Sequence, residues 1–171
     1  MSELREIQHP IKERYRSDPE SSRITLTARG SELAGPMACS VEVGQAIARA
    51  EAHVGVGGAG TAACSGDMLL GALAACAQIT CQMVAAAIGV PLRRVETVVE
   101  GDLDLAGTLG VAKEASVGFE RIRLRVELDA PEADDEALAA LRKLTERYCV
   151  VMQTLTDAPP LTSEWVTAAS A

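Results

Sequence analysis

The sequence predicts an α+β domain built on antiparallel sheets, and three observations carry that prediction. Residues 121–128 alternate cleanly. Ile122, Leu124, Val126 and Leu128 face one way, and Arg121, Arg123, Arg125 and Glu127 the other. A strand with one wet face belongs to an antiparallel sheet, because parallel strands are covered on both sides. Second, one long apolar run separates two strand-like segments from two more. Third, the resulting order, ββ-α-ββ-α-α-β, lacks the regular β-α-β rhythm of a parallel sheet. The chain has 171 residues, 48% hydrophobic and 23% charged. That describes a folded domain, which at this length buries roughly 70% of its unfolded surface.

Residues 1–20 read as a polar N-terminal arm ending at Asp18-Pro19, and 21–171 as one domain. Arg23 to Ala28 alternates like a strand. Gly30 and Gly35-Pro36 mark a turn, and Met37, Cys39, Val41 and Val43 define a second strand. Residues 45–53 are Ala-rich and suit a helix start or a loop, and 55–66 are small-residue loop. A helix follows from about residue 67, capped by Gly66-Asp67 and ended by Gly89 and Pro91. Val95 to Leu105 reads as a strand, with Gly107 and Gly110 punctuating the loop before residues 121–128. Pro131 and the acidic stretch Glu132–Glu136 suit a helix N-terminus, and Leu138, Leu141 and Leu144 continue that helix toward Tyr148. Cys149 to Leu155 forms a further helical turn or a separate short helix. Asp157-Ala158-Pro159-Pro160 breaks the chain, and Leu161 to Thr167 is a last short strand.

Composition removes several function classes. Net charge is −8, with a pI near 4.8, and there are four aromatic residues. Neither a basic surface for nucleic acid nor a stacking platform for single strands is present, so no nucleic-acid partner is expected. From Met68 to Leu92 no residue is charged, a stretch long enough to cross a bilayer. It is Ala-rich and interrupted by Gln78, Thr80 and Gln82, so it reads as a central helix, apolar all round because protein surrounds it. No membrane association is expected. The first 20 residues are too charged for an apolar signal core, and five cysteines are an odd number. The expected location is the cytoplasm, with reduced thiols.

Few motifs carry chemistry. Gly55 to Gly60 matches G-x-G-x-x-G, but no strand precedes it and no acid follows at the right distance. It reads as a tight loop where backbone passes close to backbone. There is no C-x-x-C, and His9 and His53 are not spaced as ligands, so no metal is expected. A Cys–His nucleophile would have to use His53. Cys39 reads as a small core residue, and Cys64 lies in the loop. Cys76 and Cys81 share a helix but point about 140° apart. If a helix restarts at Cys149, its amide dipoles favour a thiolate there. Read on residues alone, Cys76 and Cys149 are either inert core thiols or a reactive pair.

Four segments in order resemble the OsmC/Ohr family, the osmotically inducible protein C and organic hydroperoxide resistance proteins. Ser65 to Cys76, SGDMLLGALAAC, is similar to the family's central-helix motif, roughly PEELLLAALAAC. Glu100 to Asp104, Val117 to Ile122 and Tyr148-Cys149-Val150 resemble three later family segments. The resemblance spans about residues 20–168. It implies an α+β fold of two intertwined subunits with two central helices packed between antiparallel sheets. It implies a thiol peroxidase reducing organic hydroperoxides, with Cys76 peroxidatic, Cys149 resolving, a dithiol reductant, and no cofactor or metal. Three departures stand out. The family's activating Glu falls at Gly66, with Asp67 one place on, either substituting for it or capping the helix. The family's thiolate-stabilising Arg corresponds to Arg23 or Arg29. Val150 replaces the usual Pro. These departures keep a second expectation open, a non-catalytic ligand-binding or stress-related module with slow cysteines.

Overall fold

The computed structural model describes residues 3–33 and 35–167. The N-terminal arm is a helix, α1 (Glu3–Ser17). Leu4, Ile7, Ile11 and Tyr15 recur at helical spacing and give it one apolar side. The Arg5 guanidinium donates to the Ala87 carbonyl, which ties α1 to the helix described below.

Three antiparallel strands follow, β1 (Ala28–Glu32), β2 (Ala38–Val43) and β3 (Ala46–Glu51). Their register runs from Ala28 opposite Val43 to Glu32 opposite Cys39, and from Val43 opposite Ala46 to Ala38 opposite Glu51. Two expectations are corrected here. The first strand lies at 28–32, whereas residues 23–27 are irregular, with Ile24 and Leu26 exposed. Their alternation finds no sheet neighbour among the described residues. Residues 46–51 are a strand, because the two-residue turn Gly44-Gln45 folds this Ala-rich segment onto β2. Alanine supplies little strand preference of its own, so the pairing decides.

The Glu51 carboxylate then pins the glycine-rich loop. It accepts from the Thr61 and Ala62 amides and from the Thr61 hydroxyl, the last two at 3.0 Å. Inside the loop, a Cβ on Gly58 would stand 1.6 Å from the Ala52 carbonyl oxygen. The G-x-G-x-x-G run is thus a close approach of backbone to backbone, as its context predicts.

The central helix α2 (Ser65–Ile88) starts two residues earlier than predicted, and its cap is Cys64. The Asp67 carboxylate accepts from the Cys64 amide at 2.9 Å, and the Cys64 sulfur accepts from the Asp67 amide at 3.4 Å. This reciprocal capping box satisfies two amides that have no partner inside the helix. Gly89 ends the helix in the left-handed region, with φ 80°.

Beyond it, β4 (Arg94–Asp102) and β5 (Arg121–Asp129) pair antiparallel along their whole length. The arginines of β5 lie exposed on the outer face, and Arg123 binds Asp102 at 2.9 Å. The predicted strand 95–105 is cut short. Asp104 caps a single helical turn, α3 (Leu105–Thr108), by accepting from the Ala106 amide. Gly101 leaves room for the Phe119 ring, which a Cβ there would meet at 2.5 Å.

α4 (Asp135–Tyr148), capped by Asp134, and α5 (Val150–Thr156) complete the helices. The predicted last strand at 161–167 is not one. The segment is irregular, and Leu161, Trp165 and Val166 are exposed.

α2 packs on β4, α4 and α5. Two apolar clusters result. One gathers Cys81, Val84, Ala85, Val90 and Leu141, and the other Leu73, Ala77 and Cys149. The expectation that protein surrounds α2 is not met within one chain, because Leu69, Ile79, Met83 and Ile88 remain exposed.

Candidate active site

Cys76 projects from α2 beside the buried cluster of Leu73, Ala77 and Cys149. Cys149 occupies the joint between α4 and α5 and is fully buried. Its backbone, at φ −71° and ψ 102°, leaves the helical region for one residue. The chain bends there, and α5 begins with amides that lack partners inside that helix. The Val150 and Val151 amides lower the pKa of the Cys76 thiol, and the Thr80 hydroxyl lies 4.0 Å from its sulfur. The structure therefore brings Cys76 and Cys149 side by side.

Electrostatics divide the pair. Burial pushes both thiols up. At Cys76 the Val151 amide, the Cys149 thiol, the Thr80 hydroxyl and the Val150 amide outweigh burial, so its pKa falls below the ordinary thiol value. At Cys149 burial prevails, reinforced by the neighbouring Cys76 sulfur, and its pKa rises. A helix does restart at Cys149, as the sequence allows, but the amides it frees favour the thiolate of Cys76. The arrangement sets a Cys76 with a lowered pKa beside a buried Cys149 with a raised one.

The other candidates fall elsewhere. Arg23 pairs with Glu20 at 3.3 Å on the surface, and Arg29 stands opposite Glu42 in the outer sheet. Among the described residues no cation shifts Cys76. Asp67 is engaged in the capping box at the start of α2, which favours the capping role over substitution for the family's Glu. Gly66 sits in the same turn, and a Cβ there would stand 3.3 Å from the Phe119 ring. His53 accepts from the Gly55 amide at 3.0 Å and caps a short turn. Cys81 is buried beside Thr145, and burial pushes its thiol up. Among the described residues no three His, Cys, Asp or Glu side chains are grouped to hold a metal ion.

An apolar cavity of about 510 Å³ opens between α2, β5 and α5, lined by Leu69, Leu73, Phe119, Ile122, Leu124 and Met152 among others. Leu73 belongs to the Cys149 cluster, and Ile122, Leu124 and Met152 pack against it. The site thus offers apolar surroundings to a reacting molecule.

Sequence reading missed two contributors. Thr80 was findable, since it follows Cys76 at the i, i+4 spacing that places both on one helix face. The Val150 and Val151 amides carry no residue-type signal at all.

The OsmC-like protein family profile matches residues 58–164. No curated protein matches the chain. Solved structures match at low identity. An OsmC-like protein from Mycoplasma pneumoniae is 17% identical, with a TM-score of 0.66, covering 79% of this chain and 89% of that one. An organic hydroperoxide resistance protein OsmC from Legionella pneumophila is also 17% identical, with a TM-score of 0.59 and coverage of 80% and 92%. An organic hydroperoxide resistance protein from Elizabethkingia anophelis is 15% identical, with a TM-score of 0.60 and coverage of 80% and 91%. These likenesses support the α+β fold.

Proposed function

Because the chain belongs to the OsmC-like protein family, we propose that it is a cysteine-based peroxidase that reduces organic hydroperoxides to alcohols. One observation carries the reading. Cys76, with a lowered pKa, adjoins a protonated, buried Cys149 in apolar surroundings. The Cys76 thiolate attacks the hydroperoxide, and the O–O bond breaks. The sulfur takes one oxygen as a sulfenic acid, and the alkoxide leaves and gains a proton as the alcohol. The Cys149 thiol then attacks that sulfur and expels water, leaving a Cys76–Cys149 disulfide. A dithiol reductant returns two electrons and two protons by exchange. The apolar lining favours an organic hydroperoxide over hydrogen peroxide. No bound cofactor takes part.

The working unit in this reading is a cytoplasmic homodimer. A second copy covers the exposed Leu69 and Ile79 of α2 and brings an N-terminal arginine, Arg23 or Arg29, to the Cys76 thiolate, which no cation among the described residues of its own chain shifts. Mixing reduced protein with cumene hydroperoxide tests the chemistry. The expected outcome is rapid loss of two thiols and a Cys76–Cys149 disulfide seen by mass spectrometry. Cys76→Ser should abolish the fast loss, and Cys149→Ser should stop at a trappable sulfenic acid. Full activity in Cys76→Ser refutes the reading.

Gly66 at the position of the family's Glu supports a second reading, a ligand-binding module with no fast peroxide chemistry. Slow thiol loss that ignores both substitutions favours it.

A further inference from the structure

The face of α2 that carries Cys76 continues into a second cavity. Counting from Cys76, the residues at four, seven, eight and eleven positions on are Thr80, Met83, Val84 and Ala87. That spacing is one stripe of a helix. All four line a cavity of about 610 Å³ between α1, α2 and α4. Its near end is Thr80, whose hydroxyl is 4.0 Å from the Cys76 sulfur, and Tyr148, the neighbour of Cys149. Its outer wall is α1, through Gln8 and Lys12. The walls from α2 and α4 are apolar apart from the Thr80 and Tyr148 hydroxyls. Among the described residues Lys12 is the one charged residue lining the cavity, and it makes no ion pair there. α1 lies outside the part of the chain that the family profile matches.

We propose that α1 is a specificity element. Its Gln8 and Lys12 wall the passage by which reagents reach Cys76, and the Lys12 ammonium favours reagents carrying a negative charge. The peroxide half of this inference rests on the peroxidase reading, and the charge half does not. A lysine near the path raises the local concentration of anions by a Coulomb term that salt screens. The amide-held sulfur of Cys76 supplies the reactivity, and α1 sets which molecules arrive.

The charge half is tested by alkylating the full-length protein with iodoacetate and iodoacetamide, reading each cysteine by mass spectrometry. Both reagents attack the same thiolate, so any change in its pKa cancels in the ratio of their rates. Lys12→Glu should lower the iodoacetate to iodoacetamide ratio at Cys76 by roughly five-fold at low ionic strength. The effect should shrink in 0.5 M salt, on the order of twice the screening of 0.15 M. The ratio at Cys64, at the other end of α2, should not move and serves as the internal control. An unchanged ratio at Cys76, or an equal change at Cys64, overturns the role of Lys12.

Gln8→Trp, which narrows the cavity, tests the wall. It should slow oxidation of Cys76 by cumene hydroperoxide relative to hydrogen peroxide by several-fold. Equal slowing of both, or of neither, overturns the wall. Should no peroxide oxidise Cys76 in the unaltered protein, the peroxidase reading fails, and the alkylation ratio still decides the charge half.

Discussion

Cys76 owes its lowered pKa to backbone amides, a neighbouring thiol and one hydroxyl. That fixes how it should respond to pH. A depressed pKa enlarges the thiolate fraction at neutrality, so alkylation of Cys76 should reach half its maximal rate below the pH expected of an ordinary thiol, about 8.5. The reverse holds for Cys149, whose reactivity should emerge only above that value. Val150→Pro isolates one contributor. Proline suits the first position of a helix and lacks the N–H, so α5 persists while one donor to Cys76 is lost. Alkylation of Cys76 at pH 7 should slow by about two- to five-fold, the worth of one hydrogen bond, with little change in Tm. An unchanged rate shows that the Val150 amide does not act. At this scale the sequence identifies both cysteines through their surrounding motifs. It cannot show which thiol the amides serve, because that depends on a bend at one residue, Cys149.

Among the elements, α2 carries the site, and the way it begins decides the role of Asp67. The carboxylate is held below the ordinary range, first by the Cys64 amide and then by the Cys64 side chain. A depressed carboxylate pKa means that the contribution to stability is present at neutral pH and is lost as pH falls through the folded-state value. Asp67→Ala should cost about 0.5–1 kcal/mol, read as a Tm lower by a few degrees at pH 7, with the difference vanishing in acid. Cys76 alkylation should stay as fast as before. A large loss of reactivity with unchanged Tm would instead make Asp67 the substitute for the family's Glu. The elements most legible in sequence were those with a strong period or clear stop signals, α2, β5 and α4. The least legible were β3, whose Ala-rich residues are strand only because β2 pairs with them, and the segments 23–27 and 161–167. Neither segment pairs with a strand among the described residues.

For the whole molecule, the incomplete cover is the main fact. Leu69 and Ile79 on α2 are exposed, as are Ile24 and Leu26 before β1 and Trp165 near the C-terminus. The proposed homodimer would cover apolar surface of this kind. The proposed homodimer predicts sedimentation at twice the chain's 17.9 kDa, in the soluble fraction and without detergent. A monomer at micromolar concentration, or protein recovered only in detergent, would refute it. The sequence by itself determined the class of fold, the uncharged central helix and the two cysteines in family-like settings. Those follow from residue type and spacing, which are local. The tertiary structure alone decided that Cys76 meets Cys149, that amides of α5 face Cys76, and that α1 walls the adjoining cavity. Each of these depends on where separate elements come to rest against one another, and no local pattern of residues encodes that placement.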